Sequence, residues 1–230
     1  MTGLRARVRA ELTAEIKRLA RLQVERDGAA TLSLRAIARE LGMASSAIYR
    51  YYPSRDELLT ALWVDAYNGL GEAAELADAA VPADQPEARF LAVARAAYDW
   101  ARAHPSQYSL LFGTPVPGYA APPDTIGPAT RFTLVLLQVL GEVARQGHRP
   151  AVEPTVPPTV AADLADLRAR TGIEADDALL MAGLQSWAAL FGAISFTLFG
   201  QFHNVVGDLD ALFDGFNQQL ATNMMGGRRS

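Results

Sequence analysis

The chain has 230 residues, half of them hydrophobic and a fifth charged, a balance that supports a packed core and excludes general disorder. It holds no cysteine, which excludes a disulfide framework and thiolate metal sites. The net charge of −4 is uneven. Residues 1–57 carry 11 Lys+Arg against 7 Asp+Glu, and residues 58–230 carry 10 against 18. A basic head on an acidic remainder points to a polyanion partner for the head alone, although charge by itself leaves a merely solvated surface equally open.

The basic start, residues 1–9, leads into no apolar core, so no secretory signal is expected. No run reaches the eighteen or so apolar residues of a membrane span. These features, with the missing cysteines, predict a cytoplasmic protein that does not enter a membrane.

Apolar residues at Val8, Leu12, Ile16, Leu19, Leu22 and Val24 predict a helix over 4–27, ended by Gly28. Ser33 caps a short second helix that carries Leu34, Ile37, Ala38 and Leu41 and stops at Gly42. A third short segment spans 45–51. Ser54 caps a long helix to about residue 80, with Asp56 and Glu57 in the first turn where acids suit the dipole. Further helices are expected over 87–103, 107–112, 125–145, 159–169, 175–199 and 208–224. The stretches 113–123 and 147–158 are rich in Gly and Pro and read as loops. The helix over 175–199 is apolar nearly all round and should be buried on several sides. Residues 226–230 read as a disordered tail. The predicted class is all-α, with a three-helix head over 1–57 and a helical domain over 58–225.

Helix, short helix, Gly42 turn, short helix is the helix-turn-helix pattern. In such a unit the second short helix enters the major groove, its N-terminal residues at base edges. Here it starts at Ser45 and Ser46, whose hydroxyls can contact phosphates or bases, and presents Tyr49 and Arg50. Ala47 and Ile48 are expected to pack back on Leu34, Ile37 and Leu41. Arg5, Arg7 and Arg9 read either as an arm toward the minor groove or as a solvated helix end.

The run "TLSLRAIARELGMASSAIYRYYPSRDEL", residues 31–58, resembles the DNA-binding signature of TetR/AcrR-family transcriptional regulators. The matching positions are Ile37-Ala38, Gly42, Ser45-Ser46, Ile48-Tyr49, Arg50-Tyr51-Tyr52, Ser54-Arg55 and Leu58. The resemblance implies that Tyr49, Arg50 and Tyr51 occupy groove and phosphate slots. It implies that Arg55 stands for the usual phosphate-contacting lysine, and that Thr31, Ser33 and Arg35 contact the DNA backbone. Two departures stand out. Ala44 replaces the usual Ser or Thr cap of the third helix, so the cap is lost or moves to Ser45. Tyr52 replaces a usual Phe and is expected in the core.

The same resemblance implies a C-terminal regulatory domain that dimerises and often encloses a small-molecule pocket. "HPSQYSLLFG" and "WAALFG" resemble segments of the WHG-type subgroup, with Phe191 where that subgroup has His. The helices over 175–199 and 208–224 are the candidate two-fold interface, since paired helix-turn-helix units read a palindrome; packing within one chain competes for the same residues. Candidate pocket residues for an apolar small-molecule effector are Trp63, Tyr67, Trp100, Phe132, Met181, Gln185, Trp187 and Phe191, each of which could equally be core. Repression, by binding a palindromic double-stranded operator as a homodimer and letting go when the effector binds, is the implied default.

An enzyme has little support. His104, His148 and His203 lie far apart, and no metalloprotease, nucleophile-elbow or phosphate-loop motif occurs. Asp99 with His104 could be an acid-base pair, but a histidine before proline at a helix end reads as structural. Asp208, Asp210 and Asp214 near His203 suggest a metal, but the first two read better as helix-start acids that suit the dipole. No catalytic residue, metal or cofactor is therefore expected. A helical interaction module without DNA binding is the remaining rival, and the basic head argues against it.

Overall fold

The structure, a computed structural model, describes residues 2–228. It is built on α1 (Thr2–Asp27), α2 (Leu34–Glu40), α3 (Ser45–Ile48), α4 (Arg55–Ala79), α5 (Pro86–Ala103), α6 (Pro105–Phe112), α7 (Ile126–Arg145), α8 (Pro158–Thr171), α9 (Asp177–Leu198) and α10 (Leu209–Met225). Local chemistry sets the starts. Ser33 accepts from the Ala36 amide at 3.4 Å, Ser54 from Glu57 at 3.1 Å, Asp176 from Leu179 at 2.9 Å and Asp208 from Ala211 at 2.9 Å. Proline opens α5, α6 and α8, where its missing N–H costs nothing.

The chain divides into two compact units, Met1–Gly69 with His104–Ala129, and Leu70–Ala103 with Thr130–Ser230. The expected boundary at residue 57 is thus not where the units part. Leu58, Leu59 and Leu62 of α4 and Leu110 of α6 belong to the same core as Ile16, Leu34, Ile37, Ile48 and Tyr52. The head is closed by an α4 turn and an α6 leucine that lie beyond the helix-turn-helix pattern.

In the second unit, Phe90, Leu140, Leu164, Leu179, Leu180 and Met224 form a core drawn from α5, α7, α8, α9 and α10. Tyr98 of α5 stacks on Phe213 of α10 at 4.1 Å, with planes 13° apart. Asp78 receives both the Nε and Nη2 donors of buried Arg89 at 2.8 Å, which ties α4 to α5 by a bidentate pair.

Three expectations change. The third helix is four residues long rather than seven; beyond Ile48 the amides of Arg50 and Tyr51 bond three residues back, a tightened turn that continues to Tyr52. The C-terminal residues 227 and 228 are not tail: Gly227 and Arg228 pair antiparallel with Arg149 and His148. The rest of the expected tail, 229–230, lies outside the described residues. Finally, α9 leaves Leu184, Trp187 and Phe196 at the surface rather than burying them on several sides. Two segments, Pro123–Arg145 and Asp177–Leu198, are long and apolar enough to cross a membrane by length and composition, contrary to the reading that no run approaches a span. Core helices pass the same test, and both helices contribute to the core just described.

Candidate nucleic-acid interface and regulatory cavity

The turn between α2 and α3 is a Schellman motif. Met43 N–H donates to the Ala38 carbonyl at 2.9 Å and Gly42 N–H to Arg39 at 3.1 Å, with Gly42 at φ +64°. That closure delivers α3 with Ile48 fully buried beneath it. Ala44 sits at the cap position of α3 and gives no side-chain hydrogen bond, and neither Ser45 nor Ser46 replaces it. The two serine hydroxyls remain exposed and unbonded among the described residues.

Tyr49, at the C-cap of α3, is 39% exposed, and Arg50 is exposed beside it. Tyr51 is different. It is half-buried against the head core, and Arg9 of α1 lies over its ring. Tyr52 is buried as expected, and burial raises its phenol above the ordinary range, helped by Asp65.

The remaining predicted contacts divide. Thr31 is exposed, but its hydroxyl donates to the Gly28 carbonyl at 2.8 Å and the Asp27 carbonyl at 3.1 Å. Ser33 is the α2 cap, and its own amide donates to Gln23. Arg55 donates to the Ala29 and Ala30 carbonyls at 3.0 and 3.1 Å and pairs with Asp56. Its guanidinium ties α4 to the turn before α2, so only part of its donor set faces outward. Arg35 is exposed and has no partner among the described residues.

Partnering of the head cations separates two groups. Arg7, Lys17, Arg18, Arg21, Arg26 and Arg55 are paired with carboxylates. Arg5, Arg35, Arg39 and Arg50 have no side-chain partner among the described residues. Arg39 was absent from the sequence-predicted contacts. The signal was available: it stands four residues after Arg35, on the same helix face, where like charges repel and gain from a polyanion.

The predicted pocket residues fall in both units. Trp63 and Tyr67 lie in the first unit, whereas Trp100, Phe132, Met181, Gln185, Trp187 and Phe191 lie in the second. There Trp100 and Phe132 are buried core, Met181 is half-buried and Gln185 is exposed. Phe132, Phe191 and Trp187 form an edge-to-face ladder at 5.2 and 6.4 Å, so Phe191 continues an aromatic stack where the resembling subgroup has His. Of the six, Trp187 alone lines the apolar cavity of the second unit, with Phe90, Leu136, Leu140, Val143 and Met224. That cavity is ≈ 50 Å³. Drug-sized ligands need roughly 300 Å³ or more, so the cavity is too small for one with the helices as they stand. Sequence spacing could not show this, because cavity size depends on how leucines of three helices interdigitate.

Asp208, Asp210, Asp214 and His148 are already engaged. Asp210 meets Arg102 at 2.7 Å, Asp214 meets Arg95 at 3.3 Å, and Asp208 caps α10. Desolvation alone would raise the Asp210 carboxyl, but the Arg102 hydrogen bond and the Arg102 and Arg95 charges outweigh it and hold it low. His148 Nδ1 lies 3.0 Å from the Met225 carbonyl. Among the described residues no three His, Asp or Glu side chains are grouped to hold a metal ion.

The family described as "Bacterial regulatory proteins, tetR family" matches residues 18–62, and "Tetracyclin repressor-like, C-terminal domain" matches residues 90–219. An HTH-type transcriptional regulator of Mycobacterium tuberculosis is 41% identical over 220 residues, covering 95% of this chain and 94% of the relative. Among solved structures, SCO4313, a protein provisionally described as regulatory, is 33% identical with a TM-score of 0.78, covering 94% and 97% of the two chains. A protein of unknown function from Rhodococcus sp. RHA1 shares the fold at 20% identity and a TM-score of 0.68, covering 95% and 96%.

Proposed function

Because the chain belongs to the TetR family of transcriptional regulators, we propose that it is a cytoplasmic repressor that binds a palindromic operator as a homodimer and is released by a small hydrophobic ligand. The observation that carries the DNA reading is the partnering of the head cations. Arg35, Arg39 and Arg50 are exposed without acidic partners, while most other head cations are ion-paired. These cations, with exposed Ser45 and Ser46 at the start of α3 and Tyr49 at its end, would supply phosphate contacts and base-edge donors.

The surface of the second unit supports the dimer reading. Leu184 and Phe196 of α9 and Phe216 of α10 are 38%, 52% and 41% exposed. A Cβ added at Gly192 or Gly215 would meet open space, so a partner helix could approach closely there. An apolar face of this kind on two adjacent helices suits a self-complementary two-fold contact. An effector would act by binding one spacing of the two heads better than the other, because a ligand with equal affinity for both shifts nothing.

The test is binding to the DNA upstream of its own gene, measured as a function of salt. A specific complex whose affinity falls steeply with salt is expected. Absence of any salt-dependent DNA binding, including to sequences selected from a random pool, overturns the reading.

A further inference from the structure

One buried side-chain polar atom of the first unit has no hydrogen-bond partner among the described residues. The indole Nε1 of Trp63, on α4, is buried and finds no hydrogen-bond acceptor. Buried donors are normally paired, because an unpaired one keeps its full desolvation cost. The surroundings are aromatic. The Tyr119 ring lies 5.3 Å from the Trp63 ring, and Tyr67 lies 6.2 Å away at 73°. Thr60, Trp63 and Tyr67 stand at i, i+3 and i+7, which places them on one face of α4.

Tyr119 comes from outside the helix. The sequence Val116-Pro117-Gly118-Tyr119 folds as a type II turn, with Gly118 at φ +75° and the Tyr119 amide donating to the Val116 carbonyl at 3.2 Å. Most of the connection around it is exposed. Tyr119 is held against α4 by a hydroxyl contact with Thr60 at 2.9 Å and by its ring against Trp63. A single tyrosine therefore covers an aromatic face and leaves the indole donor unserved.

We propose that the Thr60–Trp63–Tyr67 face binds a neutral planar aromatic molecule carrying a hydrogen-bond acceptor, and that Tyr119 is the latch this molecule displaces. The rings select a π-face, and the Trp63 N–H selects an acceptor. Neutrality follows from the local charges. Asp65, the nearest carboxylate along α4 to Trp63 and Tyr67, is taken by Lys17 and Arg21. Burial and the nearby Tyr119 raise the Tyr67 phenol, so it stays protonated and able to donate. The inference deepens the effector reading, and it rests on that reading only for the consequence on DNA.

The test uses 15N-labelled full-length protein and its tryptophan indole signals, with Trp63 identified by the signal lost in Trp63→Phe. Acetophenone has a ring and a carbonyl acceptor; ethylbenzene has the ring alone. A saturable downfield move of the Trp63 indole proton with acetophenone, and not with ethylbenzene, is expected. Tyr119→Ala should tighten acetophenone binding by about threefold or more, because a competing closed state is removed. An unmoved Trp63 signal in both wild type and Tyr119→Ala, or a weaker complex in Tyr119→Ala, overturns the proposal. Operator binding measured in parallel separates the two readings. Operator release with the indole signal unmoved overturns the site and leaves the effector reading standing. A moved signal with the operator retained supports the site and counts against the effector reading.

Discussion

The guanidinium of Arg9 lies 5.2 Å above the ring of Tyr51 and donates to the Arg50 carbonyl at 3.1 Å. The two residues are 42 positions apart, yet this contact fixes the end of the short reading helix on α1. With no side-chain cap at Ala44, α3 is held at its start by backbone bonds and at its end by Arg9. Arg9 therefore acts within the head, and an arm in the minor groove would require this contact to break.

Arg9→Ala should loosen Tyr49 and Arg50 without removing a base contact. One cation–π contact and one hydrogen bond to a charged donor, both partly exposed, amount to about 1 kcal/mol of stability. Operator affinity should fall, and Arg9→Lys should recover only part of it, because an ammonium lacks the planar fork. Urea unfolding and operator titration of the two variants measure this; an Arg9→Ala protein as stable as wild type contradicts it.

Arg39→Ala should weaken DNA binding nearly equally for operator and random sequence. Its loss should flatten the dependence of log affinity on log salt by about 0.9, the value for one phosphate contact. Arg26→Ala is the control, since Arg26 is already paired with Asp27 at 2.7 Å. An unchanged slope in Arg39→Ala removes that residue from the interface.

At Gly42 the conformation, not space, sets the cost. A Cβ there would meet nothing within 4 Å, but φ is +64°. Gly42→Ala should therefore cost about 1 kcal/mol, and Gly42→Asn less, because asparagine tolerates the left-handed region. Gly71 is the opposite case: its φ is ordinary, but a Cβ would lie 2.7 Å from the Arg131 Cβ, so alanine must push α4 from α7. Thermal unfolding of the three variants orders these costs.

These contrasts mark what the sequence could carry. The caps at Ser33 and Ser54 and the glycine turn at Gly42 are local, so spacing alone located them. Ile48 and Tyr52 were legible as core because their faces repeat with helical period. Arg55 was not fully legible as a partner of Ala29 and Ala30, since those carbonyls come from a 3-10 turn 25 residues earlier. The division of the pocket candidates between units was illegible for the same reason. Aromatic spacing says which residues share a helix face but not that Trp63 and Tyr67 belong to one unit and Trp187 to the other.

Glu75 links α4 to α7 through Arg131, with donors at 2.8 and 2.6 Å. The Arg131 hydrogen bond, aided by its charge and opposed by desolvation, holds the Glu75 carboxyl below the usual glutamate range. A depressed carboxylate stabilises the fold above its unfolded pKa, about 4.3, and the gain is lost as pH falls through the lower folded value. Wild type should therefore be more stable than Glu75→Gln at pH 7, by at most about 1 kcal/mol for a surface pair. The difference should shrink as pH falls below about 4.3 and vanish only below the lower folded value. Urea midpoints across this range check the sign; a gap that widens in acid contradicts it.

The dimer reading makes the strongest demand on Phe216. Its ring is 41% exposed, yet it lies 6.2 Å from Phe202, whose ring in turn lies 5.7 Å from Phe196. Exposed aromatics clustered across α9, α10 and their connection are costly in a lone chain and favourable once covered. Phe216→Glu places a charge in that patch without touching Phe213, whose buried stack on Tyr98 holds α10 in place. The variant should keep its helicity and unfold cooperatively, but sediment at half the mass of wild type. Two heads on one operator gain from being linked, so affinity should fall by about 10² or more while contacts within each head persist. A dimeric Phe216→Glu protein with unchanged operator affinity would move the two-fold contact away from α10.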